Sequence, residues 1–202
     1  LHPNSMMDRP HIIYNEKTKK YVAWLKIMND PSGFAVLTAD HILGPYEMVD
    51  PHVNPFGQLV GDFDLYVDEK TGKGYVISEK PHTAVYCADL NEEYTAAQGT
   101  YSEHFPHEAP PISREAPAHF VRNGKHYLIT SGTTGYFSNP SEAAVADELH
   151  GPYKVLGNPH PSDTSKTSFN SQISSVFKHP YKDDLYIAIA DRWRPEIPET
   201  AG

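Results

Sequence analysis

The 202-residue sequence has one cysteine, Cys87. That excludes an internal disulfide framework and any cysteine-based zinc cluster. No apolar run reaches the roughly 18 residues that a membrane-crossing helix needs. No extended basic run occurs, and 17 Lys and Arg stand against 26 Asp and Glu, a formal net charge of −9. An acidic chain of this kind is a poor partner for nucleic acid or an anionic membrane surface. A Gly-x-Ser-x-Gly nucleophile turn is missing. Ser131-Gly-Thr-Thr-Gly135 lacks the lysine of a phosphate loop. The chain opens at Leu1 with no charged and then apolar leader. Hydrophobic residues make up only 39%, yet 13 Tyr, 8 Phe and 2 Trp are spread along the chain, which fits a folded domain rather than disorder.

What is present in excess is punctuation: 18 Pro and 13 Gly imply many short elements and disfavour a helical bundle. Those elements repeat. Asp8-Arg-Pro-His-Ile-Ile-Tyr14 leads through a charged turn to Tyr21-Val-Ala-Trp-Leu25. Asp62-Phe-Asp-Leu-Tyr-Val67 leads likewise to Tyr75-Val-Ile-Ser78, Glu115-Ala-Pro-Ala-His-Phe-Val121 to Tyr127-Leu-Ile-Thr130, and Gln172-Ile-Ser-Ser-Val-Phe177 to Tyr186-Ile-Ala-Ile-Ala190. The four tyrosines recur at steps of 54, 52 and 59 residues. Each unit reads as a β-hairpin around a Gly/Asn/Asp-rich turn. A third strand follows three of them, ending at Ala39-Asp40, Ala88-Asp89 and Ala146-Asp147. Three or four strands in about 50 residues, repeated, is the pattern of a propeller blade. The expectation is one all-β domain over residues 1–202. It would carry about four blades and be part of a longer chain lacking blade material at both ends, since a propeller closes into a ring to satisfy its edge strands.

Each repeat opens with a hydrogen-bonding side chain 12 to 14 residues before its tyrosine: Asp8, Asp62, Glu115 and Gln172. In a propeller the first strand of each blade lines the axis, so four residues in one phase would meet there. One such residue alone reads as a solvated strand end. Carboxyls brought together push one pKa up, which leaves one group protonated as an acid beside another that is ionised. Glycoside hydrolysis needs that division of labour. A carboxylate cluster can also bind calcium, but no Asp-rich calcium loop supports a structural ion here. His104, His107 and Glu108 resemble a metal cluster, yet Pro106 and Pro110 exclude the helix such spacing requires, and they read as loop polars. Trp24 and Cys87 lie in strands and read as packing residues, whereas Trp193 lies beyond a strand and is a candidate sugar-stacking platform.

Ser113-Arg-Glu-Ala-Pro117 with Phe120-Val-Arg-Asn-Gly-Lys-His-Tyr-Leu-Ile-Thr-Ser-Gly132 resembles glycoside hydrolase family 43, and within it the exo-β-1,3-galactanase-like branch. Asp8-Arg-Pro-His-Ile-Ile-Tyr-Asn15, Gly61-Asp-Phe-Asp-Leu-Tyr-Val-Asp68, Thr133-Thr-Gly-Tyr136 and Ala190-Asp-Arg-Trp193 fit the same branch in the same order. The resemblance implies a five-bladed β-propeller and an inverting enzyme that acts on plant polysaccharides. It implies Glu115 as general acid and Asp62 as the carboxylate that orients it and tunes its pKa. Gln172 matches the glutamine that takes the place of the usual base, by positioning water or through its imidic tautomer. Asp8 stands where the branch carries a Glu near the substrate, and Thr134 and Tyr136 match a substrate-contacting turn. The chain departs from the branch at Gly61, where Arg is usual, and at Tyr136, where Trp is usual.

An inverting acid and its partner across the sugar are held roughly 6.5–9.5 Å apart to admit a water. The expected partner is an oligo- or polysaccharide, with no cofactor, and the resemblance implies a secreted or periplasmic location. The alternatives are an arabinofuranosidase or β-xylosidase of the same family, a non-catalytic carbohydrate-binding propeller, and a propeller interaction scaffold.

Overall fold

Each repeat begins as a hairpin, and the first two hairpin turns are each closed by one side chain. In the computed structural model, which describes residues 5–29, 32–107 and 109–192, β1 (Met7–Asn15) turns into β2 (Lys20–Ile27) where Asn15 Oδ1 accepts the Lys17 and Thr18 N–H groups. β3 (Gly33–Ala39) and β4 (Glu47–Val53) complete that sheet. The second sheet runs β5 (Phe63–Val67), β6 (Gly74–Lys80), β7 (Ala84–Leu90) and β8 (Ala97–His104), and Asp68 Oδ1 closes its first turn on the Lys70 and Thr71 N–H groups. The third runs β9 (Arg114–Arg122), β10 (Lys125–Gly132), β11 (Glu142–Ala146) and β12 (Lys154–Gly157). Its first turn is Asn123-Gly124 at φ 52° and 74°, the positive-φ pair whose twist suits a two-residue hairpin. β13 (Ser171–Lys178) and β14 (Tyr186–Arg192) form a final hairpin. Within each sheet the strands are antiparallel and lie in chain order.

The repeating tyrosine has a structural reason. In three hairpins it stands directly across from an aromatic residue: Tyr21 from Tyr14, Tyr75 from Tyr66 and Tyr127 from Phe120. The ring centroids are 4.8, 5.8 and 5.1 Å apart. Such cross-strand pairs contribute roughly 0.2–1 kcal/mol each and help hold register. Tyr186 faces Lys178 instead, and its hydroxyl donates to the Val121 carbonyl of the preceding sheet at 2.7 Å.

The core lies between successive sheets rather than at one centre. Trp24, Phe34 and Val36 pack on Phe63, Val76 and Tyr86 between the first two sheets. Ile77, Val85 and Cys87 meet Leu128 and Leu149 at the next interface. Ala116 and Ala118 meet Ile173 and Val176 at the last. Trp24 has no exposed surface, and its indole N–H donates to the Tyr94 carbonyl at 2.8 Å, so it is a core residue. Cys87 is fully enclosed, and burial pushes its thiol pKa up, as suits a packing residue. The first strands pack in succession, β1 on β5, β5 on β9 and β9 on β13. Their starts therefore gather at one place, which positions the site. No helix among the described residues is long and apolar enough to cross a membrane.

Candidate active site

Asp8, Asp62, Glu115 and Gln172 all line one cavity of about 1120 Å³. Three of the four first strands break register where they enter it. The shifts fall between Asp8 and His11, between Ile129 and Ser131 opposite Glu115, and between Ile173 and Ser175. Arg9 and Ala116 stand at φ 44° and 49°, a region unfavourable for side chains with a Cβ. Such strain persists where surrounding bonds over-determine it. A bulge also takes neighbouring side chains off strict alternation. Arg9 as well as Asp8 therefore faces the cavity.

Hydrogen bonds join the four strands across this space. Lys26 Nζ lies 2.7 Å from Asp62 Oδ1 and 3.1 Å from Asp8 Oδ2. Arg9 Nε lies 3.0 Å from the other Asp62 oxygen. Arg9 also donates to Gln172 Oε1 and, at 3.3 Å, to the Ile173 carbonyl. Gln172 Nε2 donates to Glu115 Oε1 and to Ser131 Oγ, both at 2.9 Å. The gap expected between Glu115 and Gln172 is thus closed by a direct hydrogen bond. A neutral amide carries no charge to repel the carboxyl and has an N–H to give it.

The electrostatics separate the acids. Burial, then the Glu79 and Asp62 charges, raise the Glu115 pKa to about 7, against the Gln172 hydrogen bond and Arg9. Burial raises Asp8 too, opposed mainly by Lys26. Asp8 Oδ1 is buried with no hydrogen-bond partner among the described residues. Burial works against the Lys26 ammonium, but Asp62 and Asp8 overcome it and its pKa rises. Two residues beyond Asp62, the buried Asp64 accepts the His119 N–H at 2.8 Å and the Leu65 N–H at 2.8 Å, and lies 3.3 Å from His11 Nδ1. It ties three first strands together.

The remaining expectations divide. Tyr136 lines the cavity with 59% of its surface exposed. Thr134 is not among the lining residues. Its hydroxyl accepts from Asn139 Nδ2 at 2.7 Å and donates to the Phe137 carbonyl, so it builds the turn, while Thr133 lines the wall. Trp193 and Glu108 lie outside the described residues. His104 is buried at the end of β8 rather than in a loop. Its Nε2 lies 2.9 Å from Ser102 Oγ, which also meets His150 Nδ1 at 2.7 Å. Gly151 permits this, since a Cβ there would sit 2.9 Å from the His104 ring. That group lies away from the cavity lining.

Sequence reasoning missed Arg9, Lys26 and Glu79. Lys26 and Glu79 were findable as the cross-strand neighbours of Asp8 and Asp62. One ligating atom each of Glu79, His82 and Glu115 lie within 4.8 Å of one another. Two are carboxyls beside a raised pKa, so the group reads as a proton-sharing cluster, and no cation site is assigned.

The sequence model of glycosyl hydrolases family 43 matches residues 10–192. Among solved structures, a family 43 β-1,3-galactosidase is 29% identical, with a TM-score of 0.83, covering 94% of this chain and 40% of that one. A second, bound to galactodeoxynojirimycin, is 28% identical with a TM-score of 0.83, covering 95% and 69%. An exo-β-1,3-galactanase from Clostridium thermocellum shares the fold at 24% identity and a TM-score of 0.81, covering 95% and 43%. The chain therefore spans only 40% of the first of these proteins and 43% of the third. No curated protein matches the sequence significantly. With the family's sequence model running through all four first strands, the chain belongs to glycosyl hydrolase family 43.

Proposed function

We propose that the chain is the catalytic part of an inverting glycoside hydrolase that releases galactose from β-1,3-linked chains. The observation that carries this reading is Glu115, a carboxyl in an open cavity whose pKa is raised to about 7. It is protonated below neutral pH and can give its proton to a leaving oxygen. Substrate class follows from the two β-1,3-galactosidases at 28–29% identity, one of them holding a galactose-configured iminosugar. The three meandering sheets and the final hairpin support a β-propeller, here read as about four of five blades.

In the proposed reaction Glu115 protonates the glycosidic oxygen as the bond to the anomeric carbon breaks. A water attacks that carbon from the opposite face and gives up a proton. Gln172 is the poorer proton acceptor. Its Oε1 already accepts the Arg9 guanidinium, a positive charge that opposes proton uptake, and its Nε2 is spent on Glu115 and Ser131. Its role is to aim Glu115. Asp8 Oδ1 is the buried acceptor without a hydrogen-bond partner among the described residues, which makes Asp8 the better candidate to take the proton.

The test is proton NMR of sugar release from β-1,3-galactobiose, beside aryl arabinofuranoside and aryl xyloside. First-formed α-galactose from the galactoside alone supports the reading. First-formed β-galactose removes inversion, and turnover only of a pentoside moves the substrate to the rival class.

A further inference from the structure

Glu115 and Glu79 form a pair that the family resemblance does not describe. Glu79 ends β6, beside Asp62, and is 4% exposed. Its carboxylate lies in the same tight group as that of Glu115 and lines the same cavity. The local chain is built around it. The Gly61 N–H donates to the Glu79 carbonyl at 3.0 Å, and the Glu79 N–H to the Asp62 carbonyl at 2.8 Å. A Cβ on residue 61 would fall 2.2 Å from Glu79 Oε2, so the glycine leaves the room this carboxylate fills.

The charged and titratable groups that share the cavity with Glu79 come from several elements. Asp62 lies ahead of β5, Glu115 on β9, His82 in the following turn, and Arg9 on β1. Both cations of the cavity are engaged elsewhere: Lys26 between Asp8 and Asp62, and Arg9 between Asp62 and Gln172. Asp62 therefore acts on Glu115 through a charge that two cations offset, and it ranks after Glu79 among the charges that raise the acid. Glu79 has no such cation. Its oxygens accept the backbone N–H groups of His82 at 3.0 Å and Asp62 at 3.3 Å, with the exposed His82 ring 3.6 Å away. Two N–H donors favour the ionised form of Glu79, whereas the Glu115 carboxyl accepts one amide N–H. When the pair holds one proton, it sits on Glu115.

We infer that Glu79 is a positioning residue for the acid: its buried, cation-free charge keeps the proton on Glu115. The inference rests on reading Glu115 as the general acid. Burial raises the Glu79 pKa as well, opposed by the His82 and Asp62 N–H groups, while the shared cluster and the raised Glu115 pKa agree with the inference.

The experiment has two arms. In the first, the upper limb of the kcat/KM–pH profile is compared between wild type and Glu79→Gln, with folding followed by circular dichroism. A like charge within about 4–6 Å shifts a carboxyl by roughly one unit or more, so the limb should fall by about one pH unit. An unmoved limb in a folded variant overturns the inference. The second arm needs neither turnover nor a Glu79 variant. Carboxyl 13C NMR titrates Glu79 in wild type and in Glu115→Gln, because coupling between two sites is mutual. Glu79 should titrate lower once Glu115 cannot ionise, and an unchanged Glu79 titration overturns the inference. If the titrations couple and no sugar is released, the hydrolase reading fails while the pairing stands.

Discussion

Asp62 and Glu115 hold the same phase in successive sheets and meet opposite surroundings. Asp62 is held between two cations, Arg9 and Lys26. Glu115 has a neutral amide on one side and the Glu79 carboxylate on the other. The result is one carboxyl held by charge pairing and one whose pKa is lifted to about 7. Position in the repeat brings an acid to the cavity; its neighbours decide what the acid does there. The most direct way to break the comparison is Glu115→Gln, which keeps the shape and removes the proton. General acid assistance is worth about 10²–10⁴-fold, so kcat on β-1,3-galactobiose should fall by that factor. The loss should be far smaller on an aryl galactoside with an activated leaving group. Equal losses on both substrates, measured by steady-state kinetics, would move the acid elsewhere. Wild-type kcat/KM should also decline as pH rises through about 7, since Glu115 as the proposed acid acts in its protonated form.

The second test removes the contrast from the other side. Asp62→Asn removes the anion that Arg9 and Lys26 share, leaving Lys26 with Asp8 and Arg9 with the neutral Gln172 amide. Removing one partner of a buried pair costs about 3–5 kcal/mol, and the lower figure is expected here because Lys26 keeps Asp8 and Arg9 keeps Gln172. The urea midpoint should shift by the equivalent of about 3 kcal/mol. Loss of the Asp62 charge also favours the ionised form of Glu115, so the upper limb of the pH–rate profile should move down. Unchanged stability would mean Asp8 and Gln172 alone satisfy the two cations, and the distinction between the acids would need another cause.

Most of the fold was legible because the hairpin turns and the cross-strand aromatic pairs are local. Asn123-Gly124 announces its turn, and each recurring tyrosine marks the start of a second strand. The first-strand residues of the site were legible for the same reason, since they keep a near-constant distance from that tyrosine. Their cross-strand partners were not. Lys26 faces Asp8, Ser131 faces Glu115, and Asp191 faces Gln172, while Glu79 bonds back to Asp62. These partners lie four or five residues past their tyrosines, and the bulges that vary the count leave no residue-type signature. Arg9 was visible in the Asp-Arg-Pro segment, but its positive φ and its reach to both Asp62 and Gln172 come from tertiary packing. The Glu115–Gln172 contact was unreadable for a related reason, because side-chain separations across the cavity depend on how the sheets close on one another.

A third acid sharpens the comparison with a smaller effect. Asp64 lies on β5 two residues past Asp62 and is buried, and burial raises its pKa to about 7. Its partner His11 is pushed the other way, to about 4, first by burial and then by Arg9. Between pH 4 and 6.5 the folded protein therefore keeps a proton on Asp64 that the unfolded chain has released. It also lacks one on His11 that the unfolded chain still holds. The raised acid makes stability fall as pH rises toward 7, and the lowered histidine makes it rise up to its unfolded value, so the two slopes oppose. Asp64→Asn keeps an oxygen for the His119 N–H and removes only the acid's slope. Whatever the variant costs outright, its stability relative to wild type should climb by up to about 1.4 kcal/mol per pH unit, or roughly 2 kcal/mol between pH 5 and 6.5. Urea unfolding at those two pH values reads this as a difference of differences, free of every other titrating group. A flat difference would show that Asp64 is ionised in the folded state. Its hydrogen bonds from His119 and Leu65 would then outweigh its burial.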